Sequence, residues 1–422
     1  MKLSHIINNK SFCTLPWVHI ATHTNGDVRL CCVSDAFVKK EDGTNFNLGK
    51  DSVTDIFNSK HMNEIRQDML KGNPIMGCQK CYEVDKAGGK SNRVWNNISW
   101  IRKPPTLKKI AQSMNNTNVN ETIEYFDIRF GNLCNLACRS CYPEASSQIN
   151  KEVLELSETT NIKQFHIPIS TDLNQWYQTS TFEQNISSQL KNVRSYYMNG
   201  GEPTIIENNL NILKRMIDEG VSKNVTIVLN TNMTNTKKNF FDLLPHFHSV
   251  RMGLSIDGYG TLQEYIRYPS KWSQVHDNLE KLISLKLTNV LLRPNPVISK
   301  MNLGYIVDLF DYIESMNLKY DAKLELAPIY LQDPIYLDLK YLPLDYKISC
   351  WEKIENWMNT KCKTQAPIFY ETMKTIKYKC YENLDFTYSQ ARFYEFNDLL
   401  DKNRHQKLKD VNPELDSFRT KY

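Results

Sequence analysis

From residue 123 to 335, short apolar runs alternate with longer stretches whose apolar positions recur at three- and four-residue steps. The short runs, at 124–130, 193–198, 224–230, 249–256, 288–294 and 321–328, predict strands. The longer ones, such as Asn208–Glu219, Trp272–Leu285 and Leu303–Ser315, predict helices. In the last of these Leu303, Ile306, Val307, Phe310 and Ile313 share one face. Strands alternating with helices imply a parallel sheet. Six such units predict an α/β fold, a partial (β/α)6 barrel that is TIM-like but short of the eight units that close one. Chemistry in such folds gathers at the carboxyl ends of the strands, and Cys134 follows the first strand closely.

The pattern weakens on both sides. Residues 1–100 carry five cysteines, few long periodic segments and many turn residues, among them Asn25-Gly26-Asp27 and Gly88-Gly89. This predicts a small cysteine-rich α+β domain in need of a metal staple. Residues 101–122, with Pro104-Pro105 and Asn115-Asn116-Thr117-Asn118, carry a linker signature. The stretch 144–192 is too long for a single helical crossover and predicts two helices around an Asn/Thr/Gln-rich loop. From 336 to 422, helical patterning at 345–360 and near 390–408 predicts the last barrel helix and a helical C-terminal extension.

Composition narrows the class. A 422-residue chain that is 41% hydrophobic can bury a large core, and a formal charge of +5 is mild. No run of about 18 apolar residues occurs and the first ten residues lack a signal-peptide core, so the expectation is a cytoplasmic protein with no membrane partner. No basic stripe interleaved with aromatics is present, so nucleic acid is not an expected partner. Eight of the eleven cysteines precede residue 142, mostly in close pairs or triples. In a reducing compartment that spacing favours metal or cluster ligation over disulfides.

The sharpest motif is Cys134-Asn135-Leu136-Ala137-Cys138-Arg139-Ser140-Cys141, directly after the run Tyr125–Phe130. Three thiolates can hold three irons of a four-iron cluster and leave the fourth open to a ligand. The second strand leads into Gly200-Gly201-Glu202-Pro203, where paired glycines permit close backbone approach and Pro fixes the exit. The fourth strand ends Ser255-Ile256-Asp257, and Arg267 lies twelve residues beyond Ser255. Together these resemble the signature of the radical S-adenosylmethionine (SAM) superfamily.

That resemblance implies a [4Fe-4S] cluster on Cys134, Cys138 and Cys141 with SAM on the open iron. It implies that Gly200, Gly201, Glu202 and Pro203 contact the SAM amino group and that Ser255 and Arg267 hold its carboxylate, with Asp257 beside them. Asn230 and Val297, at the ends of the third and fifth strands, match ribose- or adenine-facing positions. The residue before the third cysteine, often aromatic in the family, is Ser140 here, which leaves adenine to Tyr142 or to a backbone contact.

Cys13, Cys31, Cys78 and Cys81 form a second set. Two pairs of cysteines are also the usual make-up of a structural zinc site, and zinc stays an alternative. The spacing around Gly26 resembles SPASM and twitch domains, which house auxiliary iron–sulfur clusters; a full SPASM domain needs more cysteines, so the resemblance is to the shorter twitch form, in a group where that domain precedes the barrel. Phe12–Trp17, Glu83 and Ser91-Asn92-Arg93 look typical of it. The resemblance implies a second [4Fe-4S] cluster, an electron donor such as flavodoxin or ferredoxin, and a peptide, protein or small-molecule substrate from which a deoxyadenosyl radical removes hydrogen. Alternatives are a nucleic-acid-modifying relative and a non-catalytic zinc-stapled binding protein. Cys32, Cys350, Cys362 and Cys380 are read as structural, and His19 and His23 as satisfied or solvated; no catalytic acid or base stands out.

Overall fold

The structure, a computed structural model, describes residues 6, 9–115, 118–166, 175–235, 238–362, 365–385 and 387–421. Among these residues seven strands form the central sheet: β1 (His19–Thr22), β2 (Val28–Arg29), β3 (Tyr125–Arg129), β4 (Ser195–Asn199), β5 (Thr226–Thr231), β6 (Ser249–Leu254) and β7 (Val290–Pro294). Their order is β2-β1-β3-β4-β5-β6-β7. Neighbours from β1 to β7 are parallel, while β2 runs antiparallel to β1 at the edge.

Alternation along each strand sorts the two faces. Phe126 and Ile128, Tyr196 and Met198, Ile227 and Leu229, and Val250 and Met252 are all buried. They meet helices such as Glu207–Asp218, whose Leu210, Leu213 and Met216 are buried in turn. The other face is polar for a parallel sheet: Asp127 and Arg129 on β3, Tyr197 and Asn199 on β4, Asn230 on β5, Arg251 on β6. A parallel sheet is ordinarily apolar on both sides, so this polarity sets the second face apart.

The expected strands at 124–130, 193–198, 224–230, 249–256 and 288–294 are all present, trimmed or shifted by a few residues. The sixth, 321–328, is displaced. Short β8 (Val297–Ile298) pairs with β9 (Ile329–Tyr330) in a separate ladder. Backbone N–H groups of Glu325, Ala327 and Ile329 donate to the carbonyls of Leu292, Pro294 and Pro296 at 3.3, 2.8 and 2.8 Å. The chain therefore does run beside β7, but Pro294 and Pro296 have no N–H to return, so the ladder is one-sided.

Two stretches differ from their sequence reading. The 101–122 segment contains a helix, Pro104–Met114, rather than an open linker. Prolines in the first turn start a helix without losing a bond, so the Pro pair reads correctly as a helix start; Asn116 and Thr117 lie outside the described residues. And β1, from the cysteine-rich first hundred residues, pairs with β3, His19 opposite Tyr125 and Ala21 opposite Asp127. The insertion holds the two expected helices, Ser147–Leu156 and Ser180–Gln189; residues 167–174 of its loop lie outside the described residues. At the C-terminal end are helices Leu344–Thr360, Pro367–Tyr381 and Thr387–Arg404.

Candidate active site

The Cys134–Cys141 loop leaves the carboxyl end of β3 and is pinned from every side. The Cys134 N–H donates to Ser147 Oγ at 3.1 Å, and Ser146 Oγ donates to the Leu136 carbonyl at 2.7 Å. The N–H groups of Ala137 and Arg139 reach the carbonyls of Tyr268 and Ile266 at 2.7 and 2.8 Å. Cys134, Cys138 and Cys141 pack with Leu136 as a cluster of their own. All eleven cysteines are free thiols. Burial pushes Cys138 up to about 11, and it raises Cys134 and Cys141 as well; Cys134 and Cys138 add to the rise of Cys141.

The Gly200–Pro203 turn is wedged against that loop. Gly200 and Gly201 have φ of 83° and 58°. A Cβ on Gly201 would stand 2.0 Å from the Leu133 carbonyl oxygen, so no side chain fits there. The Glu202 N–H donates to that same oxygen at 2.8 Å. The Glu202 carboxylate is buried and accepts from Thr204 Oγ1 (2.6 Å), Thr231 Oγ1 (2.8 Å) and the Asn232 N–H (2.7 Å). It thereby ties the end of β4 to the end of β5. Burial raises its pKa against those hydrogen bonds, which lower it.

One carboxylate joins three of the expected SAM positions. Asp257 Oδ2 accepts from Arg267 Nε at 2.7 Å, and Asp257 Oδ1 accepts from the Val297 N–H at 2.8 Å. Arg267 Nη1 also lies 3.8 Å from Cys138 Sγ. Ser255, half-buried, sits two residues before Asp257 at the end of β6. Asn230 donates to Tyr197 Oη at 2.9 Å and accepts from Asn295 Nδ2 at 2.8 Å. A Cβ at Gly253 would lie 2.1 Å from Asn230 Oδ1, so this crossing needs the glycine. Tyr142 turns toward His166, ring centroids 6.3 Å apart.

The second set gathers around residues 12–14. Arg93 donates to the Phe12 carbonyl at 2.9 Å and pairs with Asp85 at 2.6 Å. Asn97 donates to the same carbonyl at 2.9 Å and accepts from the Thr14 N–H at 2.8 Å. Cys13 is pushed up to about 12 by burial, and Cys78 to about 11; Cys31 and Cys81 are raised by the same cause. Cys81 and Cys78 each add to the rise of Cys13 and of Cys31, which places the four thiols in one neighbourhood. Among the described residues no three His, Cys, Asp or Glu side chains close on a single point as one ion requires. A four-iron cluster takes its thiolates on separate irons, so its ligands stand farther apart than those of one ion. Grouped thiols free of disulfides, all buried but the half-buried Cys78 and Cys141, fit such a group at both sets.

His19 Nε2 lies 3.7 Å from Asp127 Oδ2, both buried. His23 is lowered to about 4 by burial and then by Arg29 and Arg129. The support behind the cysteine loop is not visible in the sequence: Arg139 of the loop donates to Asp401, and Arg404 of the same C-terminal helix donates back to the Ala137 carbonyl, both arginines being buried. Cys350 and Cys380 are buried between those helices.

Residues 13–82 match the family model of the SPASM iron–sulfur cluster-binding domain. Cys13 opens that stretch, and Cys31, Cys78 and Cys81 lie within it. No curated protein matches the chain. Among solved structures, the chain overlaps native anSMEcpe with bound AdoMet at 17% identity, over 56% of this chain and 62% of that one, with a TM-score of 0.37. It overlaps Streptococcus suis SuiB bound to S-adenosylmethionine at 14%, over 75% and 64%, with a TM-score of 0.40. For SuiB bound to precursor peptide SuiA the values are 13%, 81% and 70%, and 0.37. The chain spans less than two thirds of the first two of these proteins, and overlaps this loose carry no argument about activity. No helix among the described residues is long and apolar enough to cross a membrane.

Proposed function

We propose that the protein is a radical SAM enzyme with an auxiliary cluster in its first hundred residues, acting on a peptide. The observation that carries the reading is the wedge between the two motifs: Gly201 packs on the Leu133 carbonyl beside Cys134 with no room for a Cβ. Cys134, Cys138 and Cys141 would hold the first cluster, and Cys13, Cys31, Cys78 and Cys81 the second. When bound, the open-iron cluster supplies the electron that splits SAM into methionine and a deoxyadenosyl radical able to remove a substrate hydrogen.

The chain's own groups orient SAM. Asp257 holds the Arg267 guanidinium through Nε, and Nη2, engaged by neither Asp257 nor Cys138, is left for a carboxylate. Glu202 fixes the turn whose backbone faces the amino group. Ser255 and Val297 are brought to the same strand ends. The peptide preference follows from the resemblance of the first hundred residues to SPASM and twitch domains, whose match covers residues 13–82.

The test is anaerobic purification with iron, sulfide and zinc measured per chain, then 5′-deoxyadenosine measured after adding dithionite and SAM. About eight irons per chain, four for each cluster, with deoxyadenosine formed is the expected result. About four irons and one zinc would reassign the first hundred residues to a zinc staple, and absence of iron would sink the reading. Cys138→Ala should abolish deoxyadenosine; persistence would mean that the wrong cysteines were chosen.

A further inference from the structure

A cleft of about 570 Å³ opens between the two cysteine sets. Its lining includes Cys32, the neighbour of Cys31, and Tyr142, the neighbour of Cys141. Four cations line it, and two of them are neutralised within the chain. Lys80 is bracketed by Asp35 at 3.1 Å and Asp333 at 3.0 Å. Arg392 faces Glu395 at 3.5 Å.

Arg29 and Arg129 are different. Among the described residues no carboxylate lies within ion-pair distance of either, and the Nε of each is buried with no hydrogen-bond partner. Both forks are nevertheless held: Arg29 Nη2 donates to the Ser34 carbonyl, and Arg129 Nη2 to the Cys32 carbonyl at 3.3 Å. Asp127, two residues before Arg129 on the same strand face, lies 3.7 Å from His19 Nε2 and outside ion-pair distance of either arginine, and neither of its oxygens has a hydrogen-bond partner. Two fixed guanidinium groups facing one cleft repel each other, and their sheltered N–H groups lack acceptors. An anion that accepts from the Nη groups of the two forks relieves that repulsion.

The rest of the lining selects the anion. Asp35, Glu144 and Asp333 stand on the same walls, which disfavours a chain of phosphates and suits a single carboxylate. We propose that Arg29 and Arg129 form a carboxylate-binding subsite that seats an acidic side chain or the C-terminal carboxylate of the peptide substrate between the two cysteine sets. This rests on the peptide-modifying reading above and adds the chemical class of the substrate.

The test is calorimetric titration of the cluster-reconstituted protein with hexathymidylate and with three peptide probes. The peptides are an N-acetylated, C-amidated Ala-Ala-Glu-Ala-Ala peptide, its Gln counterpart, and N-acetyl pentaalanine with a free carboxylate. Binding of the Glu peptide about tenfold tighter than the Gln peptide is expected, as for loss of one charge-assisted hydrogen-bond set. A like preference for the free-carboxylate peptide would assign the subsite to a chain terminus. Arg29→Gln and Arg129→Gln should each erase the preference, and Arg129→Lys should keep part of it. Equal or absent binding of all three peptides to the unaltered protein overturns the proposal, and that comparison needs no variant. Tighter binding of hexathymidylate than of any peptide overturns it in favour of a nucleic acid. Deoxyadenosine formation is measured separately on the same preparation. Preference without SAM cleavage removes the parent reading and leaves the subsite; cleavage without preference does the reverse.

Discussion

Arg139, between the second and third cysteines of the cluster loop, donates to Asp401 on the C-terminal helix Thr387–Arg404 at 2.6 Å. The guanidinium is fully buried, lies 3.6 Å from the centroid of the Tyr265 ring, and also donates to Asn397 Oδ1 at 3.0 Å. Removing one partner of a buried pair strands the other charge, at about 3–5 kcal/mol. Asp401→Ala is therefore expected to destabilise the fold by about 3 kcal/mol and to loosen the loop. Urea unfolding checks the first effect, and iron retained by the Cys134 set the second.

The glycines of the β4 turn offer a paired comparison. Gly201→Ala meets both a φ of 58° and the Leu133 oxygen at 2.0 Å. Gly43, at φ 84°, has nothing within 4 Å of its would-be Cβ. Gly43→Ala should show little beyond the left-handed backbone penalty of about 1–2 kcal/mol. Gly201→Ala should exceed it and also weaken SAM binding. Equal losses of melting temperature in the two variants would contradict this.

Lys300 sets a pH dependence. It is buried, donates to Ser389 Oγ at 3.0 Å, and burial lowers it to about 7 from an ordinary 10.5. Between those values the unfolded chain keeps a proton that the folded chain has lost, so this group's contribution to stability rises with pH from about 7 toward 10.5. Below about 7 both states are protonated and the slope vanishes. Other groups titrate in the same range, so the readout is the difference between wild type and Lys300→Met in urea unfolding at several pH values. That difference should change across the window; a flat one refutes the assignment.

Cys81→Ser separates the two cysteine sets. Iron should fall from about eight to about four per chain, with the Cys134 set still loaded. Loss of zinc instead of iron would identify the alternative metal.

Much of the sheet was legible because its strands alternate with helices that carry clear apolar stripes. β1 was not: His19–Thr22 is four residues long and entirely buried, so it offers no alternation to read. The C-terminal support was illegible for a different reason. Arg139 and Arg404 look like ordinary surface arginines until the chain folds them onto Asp401 and Glu152. The Arg29 and Arg129 pair is separated by a hundred residues, and neither belongs to a motif. Motif residues were easier, because a turn that forbids a Cβ must be written with glycine.

The pairing of β1 with β3 has a consequence for how the two cysteine sets can behave. His19–Ala21 is laddered to Tyr125–Asp127, so the segment leading to Cys31 and the one leading to Cys134 issue from adjacent rungs of one sheet. A ladder of backbone hydrogen bonds does not hinge as a loose domain interface does. The gap between the sets is a ruler rather than a jaw: its span is set by backbone hydrogen bonds between adjacent strands and not by what enters it.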